Sequence, residues 1–349
     1  MRQLTLFLLL MTSAGFAKGQ VESTLLPFSA AYDYLDSALK GLAPLSVKEA
    51  VYLVENTYLE GRIPHYKYDQ YIGELVGLAK SWEKFNGLKD YHSDDSVQVL
   101  NNYAIYRVLK DTIKIIGLDN KGYLHLPYTY DFEDYDGVQN WSDMFVTKLL
   151  ALHSGNCHSL PLLYKIMAEE MGTPCWLALA PNHMYIKNRC KGMGWYNTEL
   201  TSGCFPIDAW IMASGYLPVK AIKSGIYMDT LSNAAAVSLC VIDLAKGYEH
   251  KTHNYYDGFI LKCCDLALKY HPEDVQALLL KAETLKRVYE REKDDKHVDD
   301  KETFKKMELL YGQLYDLGYR EMPRDMYQDW LKSVMKEKEK YRNRAVILD

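Results

Sequence analysis

The chain has 349 residues, 48% hydrophobic and 25% charged, which supplies apolar material for a substantial core in two or three packed units and excludes a disordered chain. Its formal charge of -5 offers no overall attraction to nucleic acid or to an anionic lipid surface, so a nucleic-acid role has no support.

Met1 to Gly19 carries a basic residue at Arg2, an apolar stretch from Leu4 to Met11 and small residues at Ala17 and Gly19. This is the pattern of an export signal. The apolar run is too short to span a bilayer stably, and no cysteine follows to take a lipid. The expectation is a periplasmic or secreted chain that starts near Gln20, with no stable membrane span. Export permits disulfides, and seven cysteines is an odd number, so at least one thiol should be free. Cys190 and Cys204 bracket a short segment and are a candidate bridge if its ends lie close. Cys263 and Cys264 are adjacent on a helical pattern, point about 100° apart and read as small buried hydrophobes.

From Pro27 to about Ile116 apolar residues recur at three- and four-residue spacing, so residues 20–140 are expected to form a helical N-terminal region. Ser46 and Glu49 make a capping box before Ala50, Val51, Val54 and Tyr58, which predicts a helix near 47–60. Further helices are expected around 30–40, 68–83 and 96–114. The acidic, aromatic stretch from Tyr128 to Asp136 matches no calcium loop and is read as a solvated loop.

Residues 141–220 are the expected core. A helix over about 142–152 leads to Cys157, and a second helix follows, with Leu160, Leu163, Tyr164, Met167 and Met171 on one stripe, ending at Gly172 before Pro174. Three short runs then read as strands: Cys175 to Ala180, His183 to Asn188, and Trp195 to Thr201. The first is apolar on both faces and predicts a central strand. Residues 221–349 return to helix. Ala267, Pro272 and Ala282 have the spacing of a tetratricopeptide pair, with a charged interruption from Glu290 to Glu302, and a tail with so few repeats should dock on the rest of the molecule.

A thiol at a helix start meets unpaired N–H groups and the positive end of the backbone dipole, which favour the thiolate. Cys157 is therefore the candidate nucleophile, and His183 the candidate base. A base needs a third group to orient its ring. Trp195, Asn197 and Glu199 share one strand face, so Glu199, or Asn197 in its place, is positioned to accept from His183 if the last two strands pair antiparallel. Trp195 and Tyr185 are candidate walls of a substrate site. His153 and His158 lie near Cys157, but with it they form no recognisable zinc spacing. Each residue also has a plainer reading: a buried cysteine, a satisfied strand-edge histidine, a solvent-facing glutamate. The 29 tyrosines are ordinary core and interface residues or a sugar- or peptide-binding surface.

The segments GNCHSLPLLY, PNHMYI and GWYNTELTSG, in helix-then-hairpin order, resemble the transglutaminase-like superfamily, and in particular its SirB-type branch, which joins such a domain to tetratricopeptide helices. The likeness covers roughly Trp141 to Leu217. It implies an α+β fold with a papain-like, transglutaminase-like core, Cys157 as nucleophile, His183 as base, and Glu199 where the family usually has aspartate. It also implies acyl transfer or amide hydrolysis on a peptide or protein, as a cysteine peptidase or a transglutaminase-type acyltransferase, with no metal or organic cofactor. Members of this branch often lack the cysteine, so the alternative is a non-catalytic scaffold that binds a peptide or protein partner.

Overall fold

A computed structural model of the protein describes residues 25–116 and 120–337, so the expected export signal lies outside the described residues. The fold is α+β, dominated by helix, with small sheets at its centre.

The N-terminal layer is helical over 25–39 (α1), Val47–Tyr58 (α2), His65–Phe85 (α3) and Ser96–Lys110 (α4). Ser46 caps α2 as its spacing predicts, accepting from the Glu49 N–H at 3.3 Å. The helical pattern ends earlier than the sequence suggests. Ile113–Ile116 (β1) pairs antiparallel with Gly122–His125 (β2) as a hairpin whose side chains are mostly exposed, since a short β-branched run favours strand once α4 has stopped.

The stretch expected as a solvated loop is largely anchored. Thr129–Tyr130 (β3) pairs in parallel with Ser154–Gly155 (β4), and Tyr128, Tyr130, Asp134 and Tyr135 are buried. Apolar ring area outweighs the acidic residues between these tyrosines. A 3₁₀ turn at Trp141–Met144 and helix α5, Val146–Leu152, then lead through β4 to Ser159–Glu170 (α6), a helix buried along most of its length. Leu160, Leu163, Tyr164 and Met167 are all fully enclosed. Truncating one of these leucines to alanine costs about 2–5 kcal/mol in such settings.

Trp176–Ala180 (β5), His183–Cys190 (β6) and Gly194–Thr198 (β7) form an antiparallel meander in the order β5-β6-β7. The central strand is therefore β6 rather than β5. The apolar character of β5 on both faces has a different cause. Its outer edge is covered by residues 228–231, whose Met228 and Leu231 N–H groups donate to the Leu179 and Leu177 carbonyls. Cys190 and Cys204 do not bridge, and all seven cysteines are free thiols. Cys190 faces Gly194 at the hairpin tip and Cys204 faces Glu199 at the far end of β7, so a strand of roughly 17 Å separates them.

After Asp208–Ser214 (α7) and Val219–Lys223 (α8), four helices follow: α9, Asn233–Thr252; α10, Phe259–Tyr270; α11, Val275–Lys296; and α12, Lys301–Leu317. Each packs on the next, and α9 also packs on α2, which joins the tail to the N-terminal layer through one continuous apolar core. A last helix, α13 (Arg324–Glu337), turns back over the sheet. Among the described residues no helix is long and apolar enough to cross a membrane.

Candidate active site

The site begins with a turn. Gly155 admits no side chain: a Cβ there would stand 2.5 Å from Ser159 Oγ and 2.7 Å from Leu149 Cδ1. The next residue, Asn156, is buried and caps the start of α6. Its Oδ1 accepts from the His158 and Ser159 N–H groups, each at 3.0 Å, and its Nδ2 donates to the Tyr135 carbonyl at 3.0 Å. This side chain satisfies two orphan donors of the first turn and ties the turn to the 129–136 segment. Cys157 is held in that turn, just ahead of α6, and its own N–H finds no acceptor among the described residues.

His183 opens β6 directly after the tight turn at Asn182, where φ is 54°. Its Nε2 lies 2.6 Å from Glu199 Oε2. Extending the β6–β7 register would place Thr201 opposite His183, so Glu199 reaches it along the diagonal, a span suited to the longer glutamate side chain. The second carboxylate oxygen, Oε1, accepts from the Thr201 N–H at 2.7 Å. With Nε2 taken, Nδ1 is the nitrogen left on the thiol side, where the Tyr327 hydroxyl lies between ring and sulfur and the ring and thiol act on each other's ionisation.

Cys157 Sγ also lies 3.6 Å from the Asn182 carbonyl oxygen and receives the Tyr327 hydroxyl at 3.1 Å, while that same hydroxyl lies 3.3 Å from His183 Nδ1. Cys157, His183 and Glu199 are 6%, 6% and 2% exposed, so their charges interact with little screening by water.

The electrostatics form a consistent chain. Burial pushes the Cys157 thiol up, but the neighbouring His183, with hydroxyl donation from Tyr327, outweighs it and holds the thiol below its ordinary value. Burial lowers His183, yet the Glu199 carboxylate and the thiol raise it to about 10. Burial likewise raises Glu199, and the imidazolium brings it below the usual carboxylate value. All three shifts run toward a thiolate–imidazolium–carboxylate row.

Three expected site residues are placed elsewhere. Asn197 does not orient His183; its Nδ2 donates to the Pro206 carbonyl at 3.0 Å and to Asp208 Oδ1 at 2.7 Å, holding the approach to α7. Trp195 is 44% exposed near the hairpin tip, where it meets Trp176 and Arg189, because strand alternation fixes its face but not its distance from the thiol. Tyr185 is fully buried and does not line the cleft that reaches the thiol, its ring serving as core.

A cleft of about 440 Å³ does reach Cys157 and His183. Its walls come from the core (Ala180, Asn182, Met184), from α9 (Asp243, Lys246), from the start of α11 (Gln276), from Met322 and from the first turn of α13 (Arg324, Tyr327). His158, next to the thiol, lies 3.1 Å from Asp243 through Nε2 and 3.1 Å from the Met144 carbonyl oxygen through Nδ1. Burial opposes its charge, but the Asp243 carboxylate prevails and raises its pKa to about 9. His153 instead caps α5 and stacks on Tyr128. Among the described residues, the one gathering of metal-ligand side chains is remote from the thiol: Glu49, His65 and Asp69, where His65 lies between the two carboxylates and Lys48 pairs with Asp69.

Asn156, Asp243, Tyr327 and Trp330 are site residues that sequence reasoning missed. The apolar spacing of Tyr327, Trp330 and Leu331 marks one buried helix face, but nothing local says that it is buried against His183. No family model, curated protein or solved structure matches this chain.

Proposed function

We propose that this protein is an exported thiol enzyme of the transglutaminase-like kind, with a papain-like core, which transfers or hydrolyses an acyl group of a peptide or protein amide. The observation that carries the reading is the row Cys157, His183, Glu199, in which a buried carboxylate 2.6 Å from Nε2 leaves Nδ1 to the thiol. That division of the ring is what nucleophilic catalysis by a cysteine requires.

The Cys157 thiolate attacks the amide carbonyl, and the C–N bond breaks as His183 Nδ1 delivers its proton to the leaving amine. A thioester remains. Water or a second amine then attacks it, giving its proton to His183, and the C–S bond breaks to restore the thiolate. Glu199 keeps the imidazolium oriented throughout. The N–H of Cys157, which has no acceptor among the described residues, is one donor for the oxyanion.

Iodoacetamide labelling of the mature protein, followed by peptide mapping, tests this. Cys157 is expected to react at lower pH and faster than the other six cysteines, and Cys157→Ala to abolish both that label and turnover. Equal labelling of all seven thiols would sink the enzyme reading.

A second reading, a non-catalytic scaffold that binds a peptide or protein partner, is favoured by one observation: Tyr327 and Trp330 cover the thiol and the imidazole. On that reading Cys157→Ala leaves partner binding intact.

A further inference from the structure

A carbonyl carbon under attack must come within about 3–3.5 Å of the sulfur, with its leaving group beside the imidazole nitrogen. Tyr327 fills part of that place, at the edge of the cleft that reaches the thiol. The Tyr327 hydroxyl oxygen stands 3.1 Å from Cys157 Sγ and 3.3 Å from His183 Nδ1, touching both groups that would handle the reacting atoms. Three residues along the same helix face, the Trp330 ring lies edge-on to the His183 ring with centroids 4.6 Å apart. The walls of this socket are aromatic as well. Tyr135 meets Tyr327 with ring centroids 5.2 Å apart, and Trp210 stacks on Trp330 at 6.4 Å.

We propose that the socket now filled by Tyr327 and Trp330 is the acyl-donor subsite, that it takes an aromatic side chain next to the reacting carbonyl, and that α13 occupies it until substrate displaces the helix. This rests on the thiol-enzyme reading above and names its substrate class: polypeptides with an aromatic residue beside the amide that reacts.

The way α13 is held suits an exchangeable occupant. At its start the Met322 carbonyl accepts from Asn182 Nδ2 at 3.2 Å, and Arg324 pairs with Asp136 at 3.2 Å. Arg324 is half exposed, and solvent-exposed ion pairs of this kind hold weakly. The Trp330 indole N–H is buried with no partner among the described residues, so the seated helix carries a donor that release to water or a better-matched ligand would satisfy. Tyr327 and Trp330 are 1% and 6% exposed, so leaving the socket also uncovers apolar rings, which only an occupant of similar character replaces.

The test uses the full chain in two forms. Tyr327→Ala combined with Trp330→Ala empties the socket, and Arg324→Glu loosens the helix while keeping the socket residues. The rate of iodoacetamide alkylation at Cys157 is measured on the high-pH plateau, where the thiol is ionised in every protein, so that loss of the Tyr327 hydrogen bond does not confuse access with acidity. Both forms are expected to react about tenfold faster than the parent, as a site freed from its occupant should. Millimolar N-acetyltryptophanamide should restore protection to the double variant, and N-acetylleucinamide should not. If the double variant fails to keep the parent circular dichroism, Arg324→Glu alone decides.

Plateau rates no faster than the parent in the folded variants, or equal protection by the two amides, would overturn this proposal and leave the thiol-enzyme reading standing. A Cys157 that resists alkylation in all three proteins at every pH would overturn that reading too.

Discussion

Cys157 and Glu199 in the thiol pocket, and Cys263 and Glu55 in the surrounding helical core, are pairs of like groups under like burial, yet they titrate in opposite directions. Burial dominates at Cys263 and raises its thiol well above the ordinary value, while Cys157 is held below it by His183 and the Tyr327 hydroxyl. Glu55, which accepts the Val146 and Thr147 N–H groups at 2.7 and 2.8 Å, is nonetheless pushed up to about 7 by burial, while Glu199 is brought down by the imidazolium against it. Burial therefore marks none of these groups as functional. A close neighbour of opposite charge is what sets the thiol pocket apart from the helical core, because it reverses the desolvation penalty.

The most severe way to break the contrast is to remove the carboxylate that holds His183 charged. Glu199→Gln leaves a buried imidazole without its counter-charge and should cost about 3–5 kcal/mol at neutral pH, read from urea unfolding. The sign follows from the shifts. His183, raised from 6.5 to about 10, contributes stability that is complete below pH 6.5 and lost as pH rises through 10. Glu199, lowered from 4.5, contributes stability present above pH 4.5 and lost as pH falls through its folded value. The parent should therefore weaken toward both ends of this range, and a Glu199→Gln variant that showed the same alkaline decline would contradict the assignment.

Glu55→Gln sharpens the other half of the comparison. Glu55 is raised from 4.5 to about 7, so the parent loses stability as pH climbs through that window. The substitution should remove the loss, making the variant gain on the parent by about 3 kcal/mol between pH 4.5 and 8. Denaturant midpoints at the two pH values check it, and parallel curves would show that the burial penalty is relieved by other means.

Smaller in energy, His183→Ala should make Cys157 behave like Cys263. Burial would then act on the thiol with no imidazolium against it, and alkylation at pH 7 should fall about a hundredfold. Retention of the parent pH profile would place the source of thiol acidity at α6 itself rather than at His183.

Much of the local structure was legible in residues close together in sequence. The Ser46 cap, the apolar stripe of α6 and the two turns that bound β6 each act within a few positions, and each appears where the pattern puts it. Errors came where local signals compete or fall silent. β1 continues a helical-looking run, and β5 is apolar on both faces because a later segment covers its edge rather than because it is central.

By itself the sequence determined where most helices and strands form and which of their faces seek burial, since periodicity, caps and turns are properties of short stretches of backbone. Tertiary structure alone decided that Glu199 and not Asn197 meets His183, that His158 pairs with Asp243, and that Tyr327 reaches the Cys157 sulfur from a position 170 residues away. The physical reason is that a hydrogen bond depends on ångström-scale distance and direction, and those are set by how α9 and α13 pack against the sheet, which no local pattern of side chains encodes.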